Sequence, residues 1–167
     1  MTVERVYLVG FMGAGKSTVG RELSLKLKRP FFDLDAEIEK AEGQPVRAIF
    51  EQRGEAAFRA LERAHLERMA SGPAAIVALG GGAYIAAENR AVVESSGLSV
   101  WLDGSFAAIR RRIRPDGSRP LWRDLERARQ LYDERRPSYQ LARLHVLTDN
   151  RLPDAIADEI VRKLDEL

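Results

Sequence analysis

The sequence predicts an α/β fold, a three-layer sandwich on a five-stranded parallel sheet, and two observations carry that expectation. Five short apolar runs alternate with helical patterns, and the first run passes through a glycine-rich turn directly into a helix. Strands that alternate with helices need crossover connections, which produce a parallel sheet covered on both faces. Val6-Tyr7-Leu8-Val9 reads as the first buried strand, and the turn from Gly10 to Gly15 feeds a helix through Val19, Leu23 and Leu27. The second run, Pro30-Phe31-Phe32, ends in Asp33-Leu34-Asp35. Helices are expected from Ala36 to Ala41 and from Val46 to Met69, with a break at Gly54. The third strand, Ala75 to Leu79, stops at Gly80-Gly81-Gly82; Leu98 to Leu102 and His145 to Leu147 complete the set, each followed by a helical pattern. Between Ile113 and Arg123, Pro115, Gly117 and Pro120 leave no helical period. A mobile lid over about residues 113–124 is therefore expected within a single domain, 1–167.

With 167 residues and 45% hydrophobic content, the chain can bury one sizeable core. Lys plus Arg number 27 against 25 Asp plus Glu, and a net charge of +2 is no nucleic-acid signature. The arginines nevertheless crowd between Arg110 and Arg136, which suggests an anionic small ligand. There are no cysteines, which removes disulfides, thiolate metal sites and cysteine nucleophiles and fits a cytoplasmic setting. The first residues are too acidic and their apolar run too short for a signal peptide. No stretch approaches the roughly 18 apolar residues that a membrane span needs. A monomer is expected, with no nucleic-acid and no membrane partner.

Gly10-Phe11-Met12-Gly13-Ala14-Gly15-Lys16-Ser17 matches the pattern G-x-x-x-x-G-K-[ST] of P-loop nucleotide-binding proteins. Glycines allow positive φ and turn backbone N–H groups inward, and with the dipole of the following helix those amides cradle phosphate oxygens. The expected nucleotide contacts are Gly13, Ala14, Gly15, Lys16, Ser17 and Thr18. Lys16 reaches the β/γ oxygens and Ser17 offers its hydroxyl to Mg²⁺. A random chain of this length meets the four fixed positions about once in a few hundred cases.

A phosphate cradle names the nucleotide and leaves the acceptor open. Asp33-Leu34-Asp35, Ile49-Phe50 with Gly54-Glu55, Phe58-Arg59-Ala60-Leu61-Glu62, Gly80-Gly81-Gly82, Arg119-Pro120-Leu121 and Arg135-Arg136-Pro137-Ser138-Tyr139 follow it in one order. Together they resemble the shikimate kinase family over nearly the whole chain. The resemblance implies Mg²⁺-dependent transfer of the ATP γ-phosphoryl group to the 3-hydroxyl of shikimate, giving shikimate 3-phosphate and ADP. It makes Asp33 the acidic partner of the Mg²⁺ shell, and Asp35 the carboxylate that holds the accepting hydroxyl and can take its proton. Either aspartate could instead cap the helix near Ala36, and at Asp35 capping and catalysis can coexist. Arg59 and Arg135 are implied to grip the acceptor's carboxylate, a task that suits a planar guanidinium. Glu62, three residues after Arg59, either orients that arginine, binds a substrate hydroxyl or forms an ordinary helix-surface ion pair. Gly80, Gly81 and Gly82 are expected to leave room for close approach and to offer N–H groups to the substrate. Arg119 is implied as a lid residue that stabilises charge on the transferring phosphoryl group, with Arg112 and Arg151 on the nucleotide side. Trp122, directly after Arg119-Pro120-Leu121, departs from the family's usual lid pattern.

Two other readings remain open at this level. A kinase for another small carboxylate-bearing acceptor, such as gluconate, would use the same cradle, and a catalytically silent nucleotide-binding module would keep it without transfer. The two histidines are too isolated for a zinc site; His65 is expected on a helix surface and His145 at the start of a strand. Tyr84 and Trp101 are expected to serve packing.

Overall fold

The computed structural model describes residues 2–113 and 120–167. Arg119 and half of the expected lid, residues 114–119, therefore lie outside the described residues. The elements run β1 (Arg5–Val9), α1 (Lys16–Leu27), β2 (Phe31–Asp33), α2 (Leu34–Glu42), α3 (Val46–Arg53), α4 (Glu55–Ala70) and β3 (Ala75–Ala78). They continue with α5 (Ala87–Ser96), β4 (Leu98–Asp103), α6 (Phe106–Arg112), α7 (Leu125–Tyr139), β5 (Leu144–Leu147) and α8 (Pro153–Asp165).

All four pairings are parallel and the strand order is β2-β3-β1-β4-β5, as the alternating pattern requires. The two ends of that order explain the residue patterns. β1 is central and every residue in it is buried, so its apolar run is continuous. β5 is an edge, and along it Val146 is buried while His145 and Leu147 face outward. The core runs from β1 through Leu23 of α1 and Ile38 of α2 to Leu66 of α4, and through Val100 and Ile109 to Ile156 and Ile160 of α8.

Three local findings differ from the sequence expectation. α2 begins two residues early, at Leu34, because Asp33 takes the capping position and its Oδ1 accepts from the Ala36 N–H at 3.1 Å. Asp35 sits inside the first turn and caps nothing. Residues Pro120–Arg123 form a 3₁₀ turn in what reads as irregular sequence. His65 is buried, 8% exposed, because the face of α4 that carries it turns toward α2 and β2 and not toward solvent. Tyr84 and Trp101 are buried packing residues as expected, and Tyr84 also donates to Glu94 Oε1 at 2.7 Å.

Candidate active site

Parallel strands deliver their loops to one rim, and here β1, β3 and β2 lie side by side, so their carboxyl ends open onto a common cleft. The cleft encloses about 760 Å³ and is lined by Gly13, Gly15, Lys16, Ser17, Thr18, Asp33, Asp35, Gly80, Gly81 and Arg112 among others. Ten of the residues expected from sequence thus converge on one cavity.

The loop from β1 adopts the conformation its glycines allow. Gly10, Gly13 and Gly15 have φ of 152°, 92° and 95°. Gly13 is also needed for space, since a Cβ there would stand 2.6 Å from Ile113 Cδ1. α1 begins with no side-chain cap and no acidic residue in its first turn, leaving its N–H groups and positive dipole end open to an anion. Lys16 Nζ reaches back across the loop to the Gly10 carbonyl at 2.5 Å. Ala14 contributes through its backbone, its carbonyl accepting from Arg112 Nη1 at 3.3 Å while Arg112 Nη2 donates to the Thr148 carbonyl at 3.0 Å. Arg151 stands apart, in a neighbouring hollow of about 280 Å³ that it shares with Arg111, Arg112 and Leu152. There it is tied to the Leu147 carbonyl at 2.7 Å and to Glu159 at 2.8 Å.

Ser17 Oγ donates to Asp33 Oδ2 at 2.8 Å. A hydroxyl and a carboxylate in contact beside a phosphate cradle fit Mg²⁺, which takes one or two protein oxygens and completes its shell with phosphate and water. Among the described residues no group of three or more His, Cys, Asp or Glu could hold a metal ion.

The acceptor side is organised by the triple glycine. A Cβ on Gly80 would lie 2.7 Å from Asp35 Oδ1, one on Gly81 would lie 3.1 Å from Arg135 Nη1, and one on Gly82 would lie 2.5 Å from Arg59 Nη2. Each glycine therefore makes room for a different charged side chain that the sequence placed in the acceptor site. The positive-φ glycines are elsewhere in the chain. Close approach, not backbone handedness, is what these three positions require.

The charges around that loop are poised unequally. Asp35 Oδ1 is buried without a hydrogen-bond partner. Burial first, then the neighbouring Asp33 charge, pushes the Asp35 carboxyl above the ordinary carboxylate range, against the pull of Lys16 and Arg59. Glu62 is 1% exposed and both its oxygens accept from Arg59 Nη1, at 3.0 and 3.1 Å. This is no helix-surface pair: burial raises the Glu62 carboxyl, and the carboxylate fixes the arginine. Phe58 and Phe50 hold the same guanidinium, its carbon 5.4 and 5.9 Å from their ring centroids.

Tyr139 is the functional-site residue that sequence reasoning left without a role. Its hydroxyl donates to the Gly81 carbonyl at 2.5 Å, and burial pushes its pKa up to about 12. The i, i+4 spacing of Arg135 and Tyr139 on α7 was the available signal, because it puts both on the face toward the glycine loop.

A phosphate cradle, a hydroxyl–carboxylate pair for a divalent cation, and a buried carboxylate beside two arginines define an ATP-dependent small-molecule kinase. Comparison with known proteins makes the class specific. The sequence profile named shikimate kinase matches residues 12–165. A shikimate kinase of Sulfurihydrogenibium sp. (strain YO3AOP1) is 40% identical over 163 residues, spanning 97% of this chain and 98% of that one. Among solved structures, shikimate kinase from Acinetobacter baumannii in complex with shikimate superposes with a TM-score of 0.93 at 36% identity, covering 99% of this chain and 94% of the other. The enzyme from Aquifex aeolicus gives a TM-score of 0.86 at 37% identity, covering 96% of each chain. The chain belongs to the shikimate kinase family and is an ATP-dependent kinase.

Proposed function

We propose that the enzyme transfers the γ-phosphoryl group of ATP to the 3-hydroxyl of shikimate by direct in-line displacement, with the named residues in the following roles. The convergence of Asp35, Arg135 and Arg59 on the three consecutive glycines is the observation that supports it. Gly13, Ala14, Gly15, Ser17 and Thr18 hold the ATP phosphates through the loop and the α1 N-terminus, and Lys16 spans the β/γ oxygens. Arg112 and Arg151 border the nucleotide's base side. Ser17 and Asp33 would hold Mg²⁺, which when bound neutralises charge on the β- and γ-phosphates.

On the acceptor side Arg59 and Arg135 grip the shikimate carboxylate. Glu62 keeps Arg59 in place, and the backbone of Gly80, Gly81 and Gly82 gives the ring room. Asp35, with one oxygen unpaired and its carboxyl raised, accepts the proton of the attacking hydroxyl. Positioning and electrostatics carry the rate. Arg119, in a lid over about 113–124 of a single 167-residue domain, adds charge stabilisation to the transferring group. On this reading the enzyme works as a monomer, in the cytoplasm where ATP is supplied. Among the described residues no helix is long and apolar enough to cross a membrane.

The test is coupled ADP release with Mg-ATP and shikimate, gluconate or nucleoside monophosphates in separate reactions. Shikimate alone should stimulate. Lys16→Ala should abolish turnover, and Arg59→Ala should raise the shikimate KM about tenfold or more, the worth of a charged hydrogen bond, with the ATP KM little changed. An unchanged shikimate KM in the Arg59 variant removes the carboxylate clamp.

A further inference from the structure

A second cavity lies outside the cleft described above and shares none of its lining. It encloses about 510 Å³ between the C-terminal halves of α2 and α4 at the β2 edge of the sheet. That volume falls in the range of small-molecule pockets, about 300–1,000 Å³. Phe32, Met69 and Pro73 give it apolar walls.

Its polar groups have no structural use. His65 is nine-tenths buried and lines the cavity, yet its ring makes no hydrogen bond among the described residues. Burial, helped by the Arg68 charge, lowers its pKa and keeps it neutral, with one donor and one acceptor. Lys40 and Arg68 line the same cavity, and among the described residues neither makes an ion pair or a side-chain hydrogen bond. Glu37 is also there, one turn before Lys40. Two cations against one carboxylate leave the rim positive. Such a pocket fits a flat apolar ring bearing a single negative charge, the ring against Phe32 and Met69 and the charge between Lys40 and Arg68.

The position gives such a ligand something to do. α2 carries Asp35 in its first turn and is capped by Asp33, while α4 carries Arg59 and Glu62 in its first half. The cavity grips the opposite ends of the same two helices. We propose that it is a second ligand site for a planar, apolar monocarboxylate, and that its occupancy changes the shikimate KM. The coupling half rests on the acceptor-site roles given above; the binding half does not.

The probe is 2-naphthoate, titrated calorimetrically into the full-length enzyme held at saturating shikimate and Mg-ADP. Expected is a Kd near or below about 1 mM, as the ligand's size allows. The Lys40→Ala/Arg68→Ala double variant, which removes two exposed side chains, should weaken binding about tenfold. Ala41→Trp, at an exposed lining position, should block it by filling the cavity. In the coupled assay, saturating 2-naphthoate should shift the wild-type shikimate KM about fivefold and leave that of Ala41→Trp unmoved. Absence of binding, or binding untouched by both variants, overturns the site. Binding with an unchanged KM overturns the coupling.

Discussion

At the scale of single residues, the acceptor site keeps charges in places that disfavour them. Glu62 shows how this enters stability. Its carboxyl ordinarily titrates at 4.5, and burial raises it in the folded chain despite the Arg59 guanidinium. The folded protein therefore binds that proton more tightly than the unfolded chain does. Stability from this group is greatest below 4.5 and is lost as pH rises through the raised folded value. Glu62→Gln abolishes that titration while keeping the side chain's shape. Relative to the variant, the wild type should lose stability as pH rises above 4.5, read from urea midpoints at several pH values. A gap that stays constant with pH means the carboxyl titrates normally and Arg59 just offsets burial.

Placement at the cleft and its glycine loop was legible where the residue type is itself the chemistry. Lys16 and Ser17 follow from the cradle motif, and Asp33, Asp35, Arg59 and Arg135 from the resemblance carried by their neighbours. Tyr139 was not legible as a site residue, because its contribution is a hydrogen bond to a backbone carbonyl 58 positions away. His65 was misjudged because polar residue types hide the stripe: Phe58, Glu62, His65 and Leu66 are buried at i, i+4, i+7 and i+8, one face of α4, but two of the four are not apolar. The cap at Asp33 rather than Asp35 turned on where β2 stops, and a three-residue strand gives little warning of its end.

At the scale of elements, the glycines separate two demands that look identical in sequence. Gly54 stands between α3 and α4 with φ 85° and ψ 168°, a region only glycine occupies comfortably, and nothing lies within 4 Å of where its Cβ would be. Gly82 has an ordinary backbone with φ −98°, but a Cβ there meets the Arg59 guanidinium. Gly54→Ala should therefore cost about 1–3 kcal/mol and several degrees of Tm, with the shikimate KM little altered. Gly82→Ala should do the reverse, since a long flexible side chain can move aside at small cost in stability and leave its gripping position. Equal effects of the two substitutions on Tm would show that backbone strain is not what separates them. The helix break at Gly54 was visible in the sequence because a glycine interrupts the period there. The 3₁₀ turn at Pro120–Arg123 was not, because so short a turn needs no repeating pattern.

At the scale of the whole molecule, the strand order joins two binding events through one sheet. β1 supplies the nucleotide loop, and β3 beside it supplies the triple glycine. Each ligand that binds only the folded chain raises its stability by an amount set by saturation, about 2.7 kcal/mol at 100 times Kd. For a chain of this length that is a Tm rise of roughly 5–10 °C. Mg-ADP and shikimate should each raise the Tm of the wild type. Arg59→Ala should keep the Mg-ADP increment and lose most of the shikimate increment, because the guanidinium that Arg59 extends from α4 packs against the glycine loop of β3 and not against the loop of β1. The nucleotide increment serves as the control for folding: a variant that still responds to Mg-ADP has an intact sheet and cradle. If such a variant also keeps its full response to shikimate, the carboxylate is held elsewhere, and Arg135 on α7 becomes the principal grip.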